Sequence, residues 1–243
     1  MATLDSLLAR PPRLVFLDCD GVIYDTNRLK CDAYRHALAG YPEAAVDALV
    51  AWHQATGGVS RFVKLRRFFT EMHPVEDVEA ALDAALGAFS AYSSEGYAHL
   101  TPRPEALAFA ARHGGPDRVY VVSGGAQDEL RRVFARAGVA DRFAAILGSP
   151  QTKREHLAAV LAERGVPARE ALFVGDGWGD WDATQALEVP FVFLAEMSEW
   201  HDGAAIVGAS PRTAVAPTWD ALLDGETSRD SPHRSIEHRD RNR

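Results

Sequence analysis

Asp18 and Asp20 stand two residues apart, followed by Gly21, directly after the apolar run Leu14-Val15-Phe16-Leu17. A short run of this kind reads as a buried strand, so the strand ends in two carboxylates. Residues i and i+2 of an extended chain point the same way. Ligands of open α/β sheets sit outside the carboxyl ends of the strands. The two acids can therefore share a site with different tasks, one as nucleophile or metal ligand, the other as acid/base. The same residues also suit a plain turn, where Asp and Gly serve backbone geometry. Cys19, between them, should point the other way and reads as a packed core thiol.

Three further segments carry comparable chemistry. Val119-Tyr120-Val121-Val122 is a second apolar run and ends in Ser123-Gly124-Gly125, with a helical stretch after it. Glycines there let backbone N–H groups approach an anion, with a helix dipole behind them; an ordinary strand-to-helix turn with a serine cap has the same pattern. Lys153 follows the apolar stretch Phe143 to Leu147 and opens the helix Arg154 to Arg164. A lysine in a first turn opposes the helix dipole, so an anion nearby would explain it; a solvated lysine whose stem covers apolar surface is the plainer reading. Leu172-Phe173-Val174-Gly175-Asp176 is a further buried strand ending in a carboxylate, with Asp180 four residues on and Asp182 beyond. Acids at a glycine-rich strand end suit a hard divalent cation bound through oxygen. Asp180 and Asp182 also fit an acid-rich helix start.

In this order, the four segments resemble the haloacid dehalogenase-like hydrolase superfamily, over roughly residues 13 to 195. The resemblance implies a role for each residue. Asp18 matches the nucleophile that forms an aspartyl-phosphate, later hydrolysed by water. Asp20 matches the acid/base that protonates the leaving oxygen and then activates water. Ser123, Gly124 and Lys153 match the phosphate-binding residues. Asp18, the backbone carbonyl of Asp20, Asp176 and Asp180 match the ligands of Mg²⁺. An acid at position 20 also separates branches: dehalogenases and phosphonate-cleaving members lack one, so an oxygen leaving group is implied. The run Gly21 to Thr26 is similar to beta-phosphoglucomutases, but Lys30 departs from their histidine near that position.

With 243 residues and 47% apolar composition the chain can hold one or two domains with ample core. A net charge of −8 argues against nucleic acid or an anionic membrane as partner. Two cysteines, Cys19 and Cys31, give no disulfide framework, so a reducing, cytoplasmic setting fits. Neither a signal peptide nor a membrane-length apolar run is visible.

Between the first two strands the sequence predicts helices over Lys30 to Ala39, Pro42 to Gln54, Ser60 to Met72 and Pro74 to Ser90. By the resemblance this insertion, residues 26–98, is a helical cap on a doubly wound α/β Rossmann-like core formed by residues 1–25 and 99–224. The two prolines of Leu100-Thr101-Pro102-Arg103-Pro104 suit a hinge. In the third helix Phe62, Leu65 and Phe69 share one stripe, read as core. Ser60 reads as its cap, and Arg61 and Lys64 share another face. That face, together with Ser60 at the helix N-terminus, is either an anion-contacting surface that selects substrate or a solvated basic one. Trp178 and Trp181 read as packing residues, Trp178 with a place near the cleft entrance as the alternative. Residues 225–243 are polar and mixed in charge and are expected to form a disordered tail, His233 and His238 included.

The expectation is a Mg²⁺-dependent phosphomonoester hydrolase acting on a small phosphorylated metabolite, a sugar phosphate or a phosphoglycolate-like compound. The alternatives are a phosphomutase of the beta-phosphoglucomutase type and a non-catalytic phosphometabolite-binding protein. Oligomeric state is not legible in the sequence.

Overall fold

Six short, mostly apolar runs form one parallel sheet in a computed structural model that describes residues 4–227. The strands are β1 (Leu14–Leu17), β2 (Val119–Ala126), β3 (Ala145–Ser149), β4 (Ala171–Gly175), β5 (Phe191–Leu194) and β6 (Thr213–Ala216). Their order is β3-β2-β1-β4-β5-β6. The chain reverses its direction of travel across the sheet beside β1, where doubly wound sheets open a ligand crevice. The fold is α/β and Rossmann-like, as expected.

The helices are α1 (Leu4–Leu7), α2 (Asn27–Ala37), α3 (Glu43–Ala55), α4 (Arg61–Arg67), α5 (Val78–Tyr97), α6 (Pro104–Arg112), α7 (Gln127–Arg136), α8 (Lys153–Arg164), α9 (Trp178–Leu187), α10 (Gly203–Ala209) and α11 (Trp219–Thr227). Strand alternation splits the core in two. Val15 and Leu17 face a layer containing Phe109, Leu130, Phe134 and Trp219. Leu14 and Phe16 face the other layer, with Leu157, Val160 and Val207. Trp219 is fully buried and donates its indole N–H to Val22 O at 3.0 Å, tying α11 to the loop that follows β1. A buried aromatic of this size typically contributes about 3–5 kcal/mol against alanine.

Helices α2 to α5 fill the connection from β1 to β2 and enclose a third apolar cluster of their own, including Tyr34, Leu49, Leu65, Phe68 and Phe89. Their boundaries differ from the sequence reading in instructive places. The third helix is α-helical only to Arg67 and continues as a π turn over Phe68–Met72, in which Phe68 and Phe69 are both buried. The fourth starts late because Asp77, not Pro74, caps it, its side chain accepting Ala80 N–H at 3.0 Å. It then runs on to Tyr97.

Of the stripe expected as core, Leu65 and Phe69 are buried and Phe62 is not. Phe62 is 38% exposed, whereas Arg61 and Lys64 are buried beside Leu65. Both cations have internal partners. Arg61 Nη2 lies 2.8 Å from Glu129 Oε2 and 3.1 Å from Ser90 Oγ. Lys64 Nζ lies 2.8 Å from His53 Nδ1 and 2.9 Å from Thr56 O. Neither cation belongs to a solvated face.

Strand β2 also extends further than read. It passes through Ser123, Gly124 and Gly125 with irregular pairing and rejoins β3 at Ala126, opposite Ser149. Ser149 Oγ donates to Gly124 O at 2.7 Å inside that irregularity. At the other end of the chain, Gly225 to Thr227 complete α11. The rest of the expected tail, with His233 and His238, lies outside the described residues. Among the described residues no helix is long and apolar enough to cross a membrane.

Candidate active site

The carboxyl ends of β1, β2 and β4, together with the N-terminus of α8, bring Asp18, Asp20, Ser123, Gly124, Lys153, Asp176 and Asp180 to one place. Asp18 follows β1 directly and is buried. Its Oδ1 accepts Cys19 N–H at 2.7 Å and lies 2.8 Å from Lys153 Nζ. Cys19 itself packs in the core, as alternation requires.

Lys153 is the first residue of α8, held there by a reciprocal cap. Thr152 Oγ1 accepts Glu155 N–H at 3.2 Å, and Glu155 Oε2 accepts Thr152 N–H at 2.7 Å. The unfavourable dipole at that position is outweighed by two carboxylates, Asp18 and Asp180, both ion-paired to the ammonium. Asp180 is fully buried, and its second oxygen accepts Gly177 N–H at 3.0 Å. Asp176, at the end of β4, accepts from Asn27 Nδ2 at 2.8 Å, and the same amide donates to Met197 O at 2.7 Å.

Two glycines make this density of side chains sterically feasible. Gly21 has φ +75°, and a Cβ there would sit 2.1 Å from Asp176 Oδ2. A Cβ on Gly175 would sit 2.5 Å from Asp180 Cγ.

Oxygens of Asp18, Asp176 and Asp180 lie within 4.8 Å of one another. Burial, with Asp180 next, pushes the Asp18 carboxyl up to about 8 against the pull of Lys153. Burial, with Asp18 and Asp180, likewise raises Asp176 well above the carboxylate range. For Lys153 burial acts downward, but Asp18 and Asp180 outweigh it and raise its value. Three buried carboxylates thus share one ammonium. The donor set is all oxygen and anionic, which suits a hard divalent cation such as Mg²⁺. Of the three, Asp180 has both oxygens engaged, one by Lys153 and the other by Gly177 N–H.

Asp20 lies in different surroundings. Its Oδ1 accepts hydrogen bonds from Thr26 Oγ1 at 2.5 Å and from the Tyr97 hydroxyl, and lies 3.4 Å from Lys30 Nζ. Burial works against its charge, but Lys30 and then the two hydroxyls outweigh burial and hold it below the ordinary carboxylate value. Two aspartates of one strand end are therefore tuned in opposite directions, the pattern that separates acid/base roles.

Ser123 is buried, and its Oγ accepts Gly125 N–H at 3.0 Å. Beside it Gly124 touches the helical unit: a Cβ there would meet Gly58 O at 2.4 Å. Gly179 N–H donates to Gly57 O at 2.8 Å, a second backbone contact across the same seam. The cleft is walled on the sheet side by Asp18, Asp20, Ser123 and Asp176, and on the helical side by Lys30, His53, Gly58 and Arg61.

Of the three cap residues expected to face substrate, only Arg61 lines this cleft. Ser60 caps α4 as read, accepting Phe62 N–H at 3.3 Å, and Lys64 is turned into the helical unit. Arg61 Nε and Nη1 are buried without a hydrogen-bond partner. Trp178 and Trp181 pack against the sheet cluster, and Trp178 also borders a neighbouring groove with Phe62 and Val63. The sequence reading missed Asn27, Thr26, Tyr97 and Glu129 as site residues. Thr26 and Asn27 follow the Asp18–Gly21 motif closely, which is a usable signal; Tyr97 and Glu129 carry none.

A family model described as haloacid dehalogenase-like hydrolase matches residues 12–187. A phosphoglycolate phosphatase of Yersinia pseudotuberculosis is 29% identical over 218 residues, covering 86% of this chain and 91% of that protein. The fold is similar to the crystal structure of a predicted phosphoglycolate phosphatase from Haemophilus somnus, with a TM-score of 0.69, 18% identity and coverage of 88% and 98%. It is also similar to CbbY from Rhodobacter sphaeroides in complex with phosphate, with a TM-score of 0.65, 17% identity and the same coverage of 88% and 98%.

Proposed function

The chain belongs to the haloacid dehalogenase-like hydrolases, and we propose that it is a Mg²⁺-dependent phosphomonoester hydrolase that works through an aspartyl-phosphate on Asp18. The observation that carries this reading is the contact of Lys153 with Asp18 at 2.8 Å, inside a cluster of three buried carboxylates. A bare anionic nucleophile repels an anionic phosphate. Here the Lys153 ammonium offsets that repulsion, and a cation would add to the effect, held by Asp18, Asp176 and the Asp20 carbonyl, with Asp180 as a direct or water-bridged ligand. The bound Mg²⁺ would supply positive charge to the phosphoryl oxygens and hold them against the nucleophile.

In this reading Asp18 Oδ attacks phosphorus and the alcohol oxygen departs. Asp20 gives that oxygen its proton, then takes one from the water that cleaves the acyl phosphate, regenerating Asp18 and releasing phosphate. Its hydrogen bonds from Thr26 and Tyr97 aim the carboxylate, and Lys30 favours its anionic form for the second step. Ser123 Oγ–H, the backbone N–H groups around Gly124 and Lys153 Nζ hold the equatorial oxygens, where charge spreads in the transition state.

Residues 26–98 act as the cap and the two flanking segments, 1–25 and 99–224, as the catalytic core. The cap wall excludes water when closed. Arg61, with two unpartnered nitrogens at the cleft, reads the part of the substrate beyond its phosphate. That favours a small metabolite with a further acidic or hydroxyl group: a phosphoglycolate-like compound, in keeping with the name of the Yersinia relative, or a sugar phosphate. Both cysteines are free, which fits a reducing, cytoplasmic setting.

The test is release of inorganic phosphate from a panel of such metabolites with and without Mg²⁺. Turnover should require the ion and vanish in Asp18→Asn, with the melting temperature retained. Full turnover in that variant, or after metal stripping, overturns the reading.

A further inference from the structure

Where the helical unit meets the loop after β5, Cys31 of α2, His53 of α3 and Glu199 approach one another. One donor atom from each lies within 4.8 Å of the others. We propose that these three residues form a second, separate metal site for a borderline-soft divalent cation of the zinc class, spanning the two halves of the molecule. The proposal goes beyond the phosphatase reading and does not depend on it.

The donor chemistry differs from that of the aspartate cluster. Thiolate, imidazole and carboxylate together select zinc-like ions over Mg²⁺, which prefers oxygen alone. The spacing also fits. Cys31 Sγ lies 3.5 Å from Glu199 Oε2. A tetrahedral ion with a metal–sulfur bond of about 2.3 Å and a metal–oxygen bond of about 2.0 Å spans a sulfur–oxygen edge of about 3.5 Å. Three protein ligands with a fourth position open is the usual arrangement of an accessible zinc site, and His53 and Glu199 both line the cleft, which gives an ion its entry path.

A neighbouring group supports one of the ligands. Gln54 Nε2 donates to Glu199 Oε1 at 3.2 Å and fixes the carboxylate. Supporting contacts of this kind orient metal ligands. Glu199 forms no ion pair with any described lysine or arginine, so its charge is available. The Cys31 thiol donates to Glu199 in the metal-free protein; on binding, its proton leaves to solvent and the thiolate takes the ion.

The consequence is mechanical. Cys31 and His53 belong to the helical unit, and Glu199 belongs to the sheet side, next to Ser198, whose Oγ donates to Asp176 O at 2.6 Å. An ion bound to all three residues pins the two halves together over the cleft.

The test is Co²⁺ titration of the intact chain with Mg²⁺ in excess, read in the near-ultraviolet, where thiolate-to-cobalt charge transfer absorbs and oxygen-only sites do not. The band should appear with one equivalent in the wild type, be displaced by Zn²⁺, persist in Cys19→Ser and be lost in Cys31→Ser. Glu199→Gln should weaken Co²⁺ binding at least about tenfold, roughly the loss reported for disturbed metal shells, and decides the matter if Cys31→Ser fails to fold. Absence of the band in the wild type, its survival in Cys31→Ser, or unchanged affinity in Glu199→Gln overturns the site.

Discussion

Lys30 and Asp20 face each other across the cleft, the ammonium of the first helix after β1 lying 3.4 Å from the carboxylate at the sheet edge. The same ammonium lies 3.9 Å from Glu129 Oε1 on α7 and sits over the Tyr97 ring, 4.7 Å from its centroid. A residue of the helical unit therefore sets the charge of the proposed acid/base. Glu129 also pairs with Arg61, so two cations of that unit converge on one carboxylate of the core.

Replacing Lys30 by Met should raise the Asp20 carboxyl, because the largest influence opposing burial is removed. With p-nitrophenyl phosphate the leaving group needs little protonation, so Asp20 matters chiefly as the base of the second step. That step is lost as Asp20 takes up a proton. The acidic limb of the kcat profile should accordingly move to higher pH in Lys30→Met, while the wild-type limb lies at the lower value. An unshifted limb contradicts the assignment of Asp20 as the base.

Gly124→Ala tests the seam between the two halves. Its Cβ would press against the Gly58 carbonyl, which as backbone cannot swing aside. The helical unit should be displaced and the site left open to water. Misplacement by about an ångström costs up to about 10²-fold in rate, so kcat/KM should fall by one to two orders of magnitude, roughly, with little change in melting temperature. Wild-type kinetics in this variant would mean that the contact is not needed for turnover.

The acid cluster makes stability depend on pH and on the cation. Asp18 and Asp176 have values above the ordinary carboxylate range, Asp18 at about 8. The folded chain thus keeps protons that the unfolded chain has released, and stability from these groups falls as pH rises from the carboxylate range toward about 8. Calorimetry without divalent ions should show a lower melting temperature at pH 8 than at pH 6. Added Mg²⁺ should raise it more at the higher pH, since it binds the deprotonated acids. Equal Mg²⁺ shifts at both values contradict the proposed ligands.

Sequence reading found the strand ends because their signal is local. Leu14 to Leu17 is strand β1 residue for residue; Asp18 and Asp176 directly follow β1 and β4, and Ser123 sits where the regular pairing of β2 breaks after Val122. Lys153 was legible from its conflict with the helix dipole. What failed depends on tertiary partners. Lys64 and Arg61 look like surface residues until His53, Thr56 and Glu129 are seen to satisfy them, and Phe62 looks like core until the phase of α4 is known. Asn27 reaches Asp176 across 149 residues of chain, and no spacing rule reports that contact. The π turn over Phe68–Met72 buries two adjacent phenylalanines, which periodicity at 3.6 residues does not anticipate.

The most direct measurement is rapid acid quench of a single turnover, followed by mass spectrometry of the peptide containing Asp18. Asp20→Ala with p-nitrophenyl phosphate is the best case, since the first step needs no acid and the second lacks its base. The account predicts a phosphorylated Asp18 that accumulates in this variant and decays slowly, and only a transient one in the wild type. Release of phosphate without any covalent phosphoryl group on Asp18, at any quench time in either protein, would contradict it.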